Sequence, residues 1–338
     1  MNKLTIIIPT YNRASCLKDC LLSIIVSIKK FENRINIVVS DHASTDETEN
    51  VVCSIINNNF KNIKFIRRKK NEFTDIHFSK IIEEVNLDYF WLIGDDDKIT
   101  PSAIKEIFKY IDKDIGLIYC NYSIWSKNFD FMINKNGLAR NENIYFNDHN
   151  KLLEEIAFNM SYISCVISKK ENFVKIPKIE RKKYFGFTVP CTFPLYLSQL
   201  NNCNAMLLSK TIVMNRSGNN DEKNFKDIHG SSWHKIYVTG SSAIFSGLKK
   251  RGFAASSVRK AHIRVLVDYV IPQTFNLRIN KFCQKGSLIF LFKYYKTYLL
   301  FYVAILPILI IPNFVVNMLS DQIGKFPFLI KKLFGTKT

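Results

Sequence analysis

The chain has 338 residues, of which 47% are hydrophobic and 23% are charged, and its formal net charge is +19. This composition excludes a disordered chain, and the length fits one large domain with an extension, or two domains. The eight cysteines include no Cys-x-x-Cys pair and no zinc-type spacing, which predicts free thiols in a reducing compartment. The N-terminal apolar run is too short for a signal peptide, and Pro9 interrupts it, so we expect the cytosol or the cytoplasmic side of a membrane.

The predicted elements of the first half alternate between buried strands and amphipathic helices. Short, continuously apolar runs rich in β-branched residues predict strands that are buried on both faces. Runs with apolar residues at helical spacing predict the helices between them. The predicted strands are 4–9, 35–41, 62–68, 88–94 and 116–125, and the predicted helices are 13–30, 44–56, 74–86 and 100–111. This alternation indicates an α/β protein with a mostly parallel central sheet and right-handed crossovers.

The pattern becomes less regular in the second half of the chain. The elements predicted there are a β-hairpin (129–146), a helix (148–159), a strand (162–170) and a basic loop that runs to Lys183. Apolar residues at helical spacing dominate from Ser232 onward. We therefore divide the chain into an α/β domain, residues 1–235, and a basic, hydrophobic helical region, residues 236–338.

Three polar clusters follow predicted strands directly. They are "PTYNR" (9–13), "SDHASTD" (40–46) and "GDDD" (94–97). In open α/β sheets, ligands bind outside the carboxyl ends of the strands. The sequence therefore predicts one binding site to which all three clusters contribute.

The last of these clusters holds three adjacent aspartates, residues 95–97. They repel one another unless a cation or hydrogen-bond donors neutralise them. No Gly-x-Gly-x-x-Gly or P-loop motif follows the first strand, so Rossmann dinucleotide binding and P-loop chemistry are both unsupported. Carboxylates that hold Mg²⁺ or Mn²⁺ are another means of binding a diphosphate, and these metals prefer oxygen ligands. A solvated acidic turn is the competing interpretation.

The positive charge is concentrated near the C-terminus. Residues 249–338 carry 15 Lys or Arg against two acids, Asp268 and Asp321. They include an uncharged apolar segment, 298–319, in which Pro307 and Pro312 are expected to break the helix. Basic residues beside an apolar segment fit an anionic membrane surface better than nucleic acid, so we expect no nucleic-acid partner. The alternative is a kinked helix that covers the core of the protein.

Three motifs, in this order and at this spacing, resemble the inverting family 2 glycosyltransferases. They are "TIIIPTYNR" (5–13), "IVVSDHASTDET" (37–48) and "DYFWLIGDDD" (88–97), and the resemblance covers residues 1–125. It implies the GT-A fold, a nucleotide-diphosphate sugar as donor and a metal site of the Asp-x-Asp type. The form "IGDDD" is similar to a branch that builds bacterial surface polysaccharides, including O-antigen sugar transferases such as abequosyltransferases.

The resemblance also implies roles for individual residues. Those implied in nucleotide binding are Pro9, Thr10, Tyr11, Asn12, Arg13, Asp41 and Asp96. Tyr11 would stack on the base, and Asp41 would accept a hydrogen bond from it. Asp96 would contact the ribose or the metal, and Asp97 would ligate the metal, while Asp95 occupies a position that tolerates other residues. For Asp41 the alternative role is to cap the helix that follows.

A catalytic carboxylate is expected in the second half of such a domain, where it takes the proton of the acceptor hydroxyl. The corresponding stretch, 184–200, contains no Asp or Glu. Glu180 is the nearest acid upstream and is our candidate base, its alternative role being a surface charge in a basic loop. In the polar segment 216–235, His229 is a candidate ligand of the metal or the diphosphate, and its alternative role is an ordinary hydrogen bond.

The diphosphate that leaves the sugar needs a cation beside it. Arg216 and Lys223 are the residues of the polar segment that suit this role.

We therefore predict an inverting, metal-dependent glycosyltransferase of bacterial O-antigen or capsule synthesis, with Mg²⁺ or Mn²⁺ as cofactor. It would move one sugar to a lipid-linked saccharide at the cytoplasmic face of the inner membrane, as a peripheral or monotopic protein. One alternative acceptor is a bare polyprenyl phosphate, which needs less base catalysis. A nucleotidyltransferase would require a Gly-rich, Arg-containing loop after the first strand. A non-catalytic protein that binds the membrane surface is the remaining alternative.

Overall fold

Ten strands form one mixed sheet in the part of the chain that the structure describes. The computed structural model describes residues 3–57, 62–70, 74–85, 88–186, 191–218, 235–279, 287–312 and 314–315. The strands are β1 (Leu4–Thr10), β2 (Ile35–Asp41), β3 (Ile63–Arg67), β4 (Tyr89–Leu92), β5 (Lys98–Ile99), β6 (Leu117–Trp125), β7 (Met132–Asn134), β8 (Ile144–Phe146), β9 (Val166–Lys169) and β10 (Ala205–Arg216).

The sheet has the order β3-β2-β1-β4-β9-β6-β10-β5, with β7 paired to β6 and β8 paired to β10. Strands β3, β2, β1 and β4 are parallel, as are β6 and β10. Strand β9 lies antiparallel between β4 and β6, so those two strands run in the same direction. The mostly parallel sheet expected from the sequence is confirmed.

Helices cover the sheet and continue into the C-terminal region. Those of the α/β part are α1 (Ala14–Ile28), α2 (Thr48–Asn57), α3 (Thr74–Glu84), α4 (Ala103–Ile111), α5 (His149–Ile156), α6 (Lys170–Val174), α7 (Lys178–Lys182) and α8 (Thr192–Ser198). Those of the C-terminal region are α9 (Ser241–Lys250), α10 (Ala255–Val265), α11 (Ile271–Ile279), α12 (Ser287–Tyr295) and α13 (Leu306–Ile310). Three π-helical segments, Lys235–Gly240, Leu266–Val270 and Phe301–Ile305, lead directly into α9, α11 and α13.

The core lies between the central strands and their helices. All seven residues of β1 and all four of β4 are buried, as their continuously apolar sequences predict. Leu17, Leu21 and Ile24 of α1 are buried at helical spacing. Each large apolar side chain that leaves water in this way contributes about 1.5–3 kcal/mol. This burial fixes the carboxyl ends of β1, β2 and β4 side by side.

Two predictions for the second half are wrong. The segment 129–146 is not a hairpin, because β7 pairs with β6 whereas β8 pairs with β10. The stretch before Lys183 is not a loop, because it holds the short helices α6 and α7. Both errors concern short elements, of three residues each in β7 and β8 and five residues each in α6 and α7.

The C-terminal apolar segment packs against the rest of the protein through one of its faces. The helix runs unbroken over 299–310, so the break expected at Pro307 does not occur. Pro307 lies at the junction of the π-helical segment Phe301–Ile305 with α13, where the hydrogen-bond pattern already departs from that of an α-helix, and the helix ends before Pro312. Among the residues described, no helix is sufficiently long and apolar to cross a membrane.

Candidate active site

The parallel register brings the three polar clusters to one edge of the sheet. Thr10 at the end of β1 is level with Asp41 at the end of β2. On the other side of β1, β4 continues beyond Leu92, and the backbone N–H of Ile93 donates to the carbonyl of Ile7. The aspartates that follow β4 therefore lie beside the β1 loop, as the strand-end argument predicts.

Asp95 connects the β1 loop to the end of β4. Its carboxylate accepts hydrogen bonds from the hydroxyl of Thr10 at 2.7 Å and from the guanidinium of Arg13 at 3.1 Å. Burial raises the pKa of Asp95 to about 6, although the charge of Arg13 acts in the opposite direction. The position that the family resemblance treats as tolerant is thus a structural anchor here.

Asp97 is enclosed by four hydrogen-bond donors. Its Oδ2 accepts from the hydroxyls of Ser164 at 2.5 Å and Tyr162 at 2.9 Å. Its Oδ1 accepts from the side-chain amide of Asn215 at 3.0 Å and from the backbone N–H of Arg216 at 3.3 Å. Burial, and secondarily the charge of Asp96, raises the pKa of Asp97 to about 7, while its donors lower it.

The sheet topology explains where the partners of Asp97 come from. Strand β9 runs antiparallel to β4, so Tyr162 and Ser164, which precede β9, lie at the carboxyl end of β4. Strand β5 follows Asp97 at once and pairs with β10, which brings Asn215 and Arg216 close. Of these residues only Arg216 was a candidate from the sequence, for the diphosphate, and the others were missed because no local pattern marks residues so distant in sequence.

Asp96 is the most accessible of the three carboxylates, with 17% of its side chain exposed. Its Oδ2 accepts a hydrogen bond from Arg13 at 3.1 Å, so one guanidinium bridges Asp95 and Asp96. Gly94 lies directly behind this group. A Cβ atom at Gly94 would come within 3.0 Å of Asp96 Oδ1 and 3.4 Å of Asp97 Oδ2.

The guanidinium of Arg216 binds protein groups on the outer side of the aspartate cluster. Its guanidinium donates to Asp19 at 2.8 Å, to the backbone carbonyl of Asp96 at 3.0 Å and to that of Lys127 at 2.8 Å. Its side chain is buried and lies over the ring of Phe129, 4.6 Å from the centroid. Arg216 thus orders the loop around Asp96.

The loop after β2 is organised by Asp41. Its carboxylate accepts hydrogen bonds from the backbone N–H and the hydroxyl of Ser44, and it is fully buried. Asp46 caps α2 through the N–H and hydroxyl of Thr48. Asp41 therefore shapes the loop and is not the helix cap.

The "PTYNR" residues divide into buried and exposed members. Pro9 and Thr10 are buried in β1, whereas Tyr11 is 41% exposed at the strand end. Asn12 has a positive φ of 51°, and its backbone N–H and side-chain oxygen bind Ser44 and Thr45. The β1 and β2 loops are thus joined, and Tyr11 projects from them.

Glu180 is not brought to this cluster. It pairs with Lys183 and Arg251, and the next residue, Arg181, pairs with Glu83 near the end of α3 that leads into β4. That end of α3 leads into the start of β4, whereas Asp96 follows the end of β4. At the rise per residue of an extended strand, the two positions are about 20 Å apart. His229 and Lys223 lie outside the described residues.

The three carboxylates differ in how well they suit Mg²⁺ or Mn²⁺. Within the described residues, no group of three or more His, Cys, Asp or Glu is arranged to hold a metal ion. Asp97 already accepts four hydrogen bonds, and Asp95 is held by Thr10 and Arg13. Mg²⁺ commonly uses one or two carboxylates together with substrate phosphate oxygens, so the partly exposed Asp96 fits such a site as its protein ligand.

Solved structures show which class this architecture defines. The crystal structure of S. aureus TarS 1-349 in complex with UDP-GlcNAc matches 85% of this chain and 78% of that chain, with a TM-score of 0.60 and 15% identity. The structure of TarS 1-349 alone gives a TM-score of 0.58 over 82% of this chain and 75% of that chain, also at 15% identity. The protein therefore has the GT-A-like glycosyltransferase fold that the resemblance implied.

The sequence comparisons agree with this fold. Residues 5–171, just under half of the chain, match the model of "Glycosyl transferase family 2", and this match supports the predicted enzyme class. Abequosyltransferase RfbV of Salmonella typhimurium is 31% identical over 227 residues, which are 63% of this chain and 66% of that protein. Teichoic acid poly(glycerol phosphate) polymerase of Staphylococcus epidermidis is 31% identical over 119 residues, 35% of this chain and 16% of that protein. The chain thus spans less than two thirds of the length of these relatives.

Proposed function

We propose that this protein transfers one sugar from a nucleotide-diphosphate sugar to an acceptor in the synthesis of a bacterial surface polysaccharide. The observation that carries the proposal is the position of Asp96, a partly exposed carboxylate between the joined β1–β2 loops and the end of β10. The names of the relatives support it, since one is an abequosyltransferase and another a teichoic acid polymerase. The TarS complex supports a donor of the UDP-GlcNAc type.

The donor would lie along the carboxyl edge of β1, β2 and β4. Tyr11 is exposed there and supplies a ring on which the base stacks, while Asp41 holds the loop beneath it in shape. The diphosphate would reach Asp96, which would hold Mg²⁺ or Mn²⁺, and the ion would offset the charge on the departing diphosphate. Arg13 is held beside Asp95 and Asp96 and keeps a cation at the same place.

The acceptor oxygen would attack the anomeric carbon from the side opposite the diphosphate, with inversion. The new C–O bond forms as the bond to the diphosphate oxygen breaks, and the electron pair leaves with the nucleoside diphosphate. The proton of an acceptor hydroxyl must pass to a base. Because Glu180 is remote, that base is not assigned to it.

The acceptor we propose is a lipid-linked saccharide at the cytoplasmic face of the inner membrane, with the protein bound peripherally. The basic, apolar C-terminal region supports this location, since it suits an anionic bilayer. A bare polyprenyl phosphate is the second candidate acceptor, because a phosphate oxygen has no proton to lose at neutral pH. Mass analysis of the lipid product, as a glycosyl phosphate or as an extended saccharide, separates the two.

Nucleotide binding tests the proposal. We expect the melting temperature to rise with one of UDP, GDP, CDP or dTDP, and to rise more with Mn²⁺ present. A ligand at about 100 times its Kd adds about 2.7 kcal/mol to the free energy of unfolding. Asp96→Asn should abolish the effect of Mn²⁺. Asp88→Asn, at the opposite end of β4, is the matched control and should leave the effect intact.

Either of two results would contradict the proposal. In one, no nucleotide raises the melting temperature of the wild type under any condition. In the other, Asp96→Asn responds to nucleotide and Mn²⁺ as fully as the wild type does, so that the carboxylate has no part in binding.

A further inference from the structure

The C-terminal helices carry an exposed apolar surface, which we name the C-terminal apolar face. It consists of Ile289 and Phe292 on α12 and of four residues on the helix 299–310, namely Leu299, Tyr302, Val303 and Ile310. Ile289, Leu299 and Ile310 are 77%, 67% and 63% exposed. Contiguous exposed apolar patches of this kind commonly mark interaction sites.

Helical spacing places these residues on one side of each helix. Leu299, Val303 and Ile310 follow one another at intervals of four and seven residues, close to whole turns. Residues on the other side of the same helix, such as Phe301 and Ile305, are buried in the protein. The exposed face is therefore the side of the helix that does not pack against the protein. Packing alone does not explain why this side is apolar.

Contacts between the two helices make the face continuous. The ring of Phe292 lies 5.8 Å from that of Phe301, and Tyr302 donates a hydrogen bond to the backbone carbonyl of Lys296 at 2.9 Å. The ammonium of Lys296 lies 6.0 Å from the centre of the Phe292 ring. Residues from α12 and from the helix 299–310 thus form a single surface.

The charges within this part of the sequence are all positive. Lys293 on α12 and Lys296 just after it are exposed, and the sequence contains no Asp or Glu from 269 to 320. Lysines close to an anionic bilayer surface are attracted to its headgroups. A second copy of the chain is a poorer occupant, because a two-fold contact would place the lysines of both copies together.

The face is fixed to the remainder of the protein. Tyr298, between the two helices, contacts His262 of α10 through a hydrogen bond of 2.8 Å, and Tyr294 of α12 contacts Thr239 at 3.3 Å. The π-helical segment after α10 reaches the α/β part, where Tyr269 donates a hydrogen bond to Asn159. A surface bound to this face would therefore hold the whole protein in a defined orientation.

We propose that the C-terminal apolar face docks on an anionic phospholipid bilayer, with its apolar side chains in the interface and Lys293 and Lys296 at the headgroups. This deepens the membrane location proposed above by naming the surface that binds. The helices lie along the bilayer and do not cross it, because their other sides are buried in the protein. The catalytic edge of the sheet is thereby carried at a constant height above the membrane.

Vesicle sedimentation of the full chain tests the proposal. We expect binding to vesicles of phosphatidylcholine with 30% phosphatidylglycerol, weakening as salt rises, and much less binding to phosphatidylcholine alone. The double variant Ile289→Asp/Val303→Asp should lower the partition coefficient on anionic vesicles about tenfold or more. Ile179→Asp, which changes a 74% exposed isoleucine on α7, is the matched control and should bind as the wild type does.

A charge-reversed variant keeps the test decisive if the apolar double variant folds poorly. Lys293→Glu/Lys296→Glu alters two exposed side chains, so we expect it to fold normally and to lose binding to anionic vesicles. Unchanged sedimentation of either folded variant would overturn the proposal. So would a wild type that fails to bind anionic vesicles but whose dimer is dissociated by Ile289→Asp/Val303→Asp, since the face would then join two copies.

Vesicle binding requires neither donor nor acceptor, whereas the nucleotide melting test requires no membrane. A protein that binds vesicles but no nucleotide would retain this docking surface and contradict the proposed enzyme function. A protein that binds nucleotide but no vesicles would retain the proposed enzyme function and contradict this docking surface.

Discussion

The hydroxyl of Ser164 donates a hydrogen bond to Oδ2 of Asp97 at 2.5 Å and accepts one from the backbone N–H of Gly94 at 2.9 Å. One side chain from the segment before β9 thus fixes both the loop after β4 and the carboxylate in it. Trp91 donates to the backbone carbonyl of the same serine at 2.8 Å. The aspartate cluster is therefore supported from below by buried hydrogen bonds, and its chemistry depends on them.

Asp97→Asn should stabilise the ligand-free protein at high pH. The folded-state pKa of Asp97 is raised to about 7 from an ordinary value of 3.8, so the folded state holds this proton more tightly than the unfolded state does. Stability is accordingly lost as the pH rises through this range and the buried carboxyl ionises. Asparagine stays neutral and can still bond Ser164 and Asn215, so its melting temperature should exceed that of the wild type above pH 7 and approach it near about pH 4.

Thermal melts of both proteins between pH 4 and 9, without nucleotide or metal, measure this difference. Asp88→Asn is the control, because Asp88 is exposed at the opposite end of β4. A constant difference between Asp97→Asn and the wild type across the whole range would show that the carboxyl does not titrate in this environment.

Gly94→Ala should impair nucleotide binding more than it impairs folding. The added Cβ would meet Asp96 Oδ1 at 3.0 Å and Ser164 Oγ at 3.4 Å, and so would displace the accessible carboxylate. Gly116→Ala is the matched control, since its Cβ would meet Asn172 Nδ2 at 3.1 Å at the other edge of the sheet. We expect a comparable loss of melting temperature in both variants, with a raised nucleotide Kd by calorimetry only for Gly94→Ala. Equal affinities would exclude a role for this loop in binding.

Arg13→Ala should destabilise the protein by about 1–3 kcal/mol, because it leaves the buried carboxylate of Asp95 without its cation. The effect should be larger at pH 8 than at pH 5, since the pKa of Asp95 is about 6 and loss of Arg13 raises it further. Arg68→Ala removes an equally exposed arginine that pairs with Glu84 on the surface, and it should cost at most about 1 kcal/mol. Urea unfolding at both pH values measures these differences, and identical losses for the two variants would contradict the prediction.

Tyr11→Ala should weaken nucleotide binding without a change in stability. The side chain is 41% exposed at the end of β1, so its removal leaves the core intact, and the lost base stacking is worth about 1–3 kcal/mol. That corresponds to roughly a tenfold to hundredfold increase in Kd. Tyr145→Ala on β8 removes another exposed tyrosine as the control, and calorimetry of both variants decides the matter. An unaltered Kd for Tyr11→Ala would place the base elsewhere.

The elements that were predicted correctly are those whose local sequence is unambiguous. Strands β1, β2 and β4 are short apolar runs bounded by polar residues, and a strand buried on both faces requires that composition. Strand β10 was missed, because Ser209, Lys210 and Thr211 interrupt its apolar pattern and its register shifts beside β6. The hairpin over 129–146 was wrong because β7 pairs with the preceding strand β6, whereas β8 pairs with β10, which is distant in sequence.

The features of the candidate site also divide into those that the sequence predicts and those that only the fold explains. The sequence by itself determined that "PTYNR", "SDHASTD" and "GDDD" end three parallel strands, and parallel pairing then requires them to meet at one edge. Only the tertiary structure decided what each carboxylate does there. Asp97 receives Tyr162, Ser164 and Asn215 because β9 lies beside β4 and β10 beside β5, and such an order of strands depends on packing between distant segments. The same order of strands leaves the carboxylate of Asp96, the neighbouring residue, as the most accessible of the three.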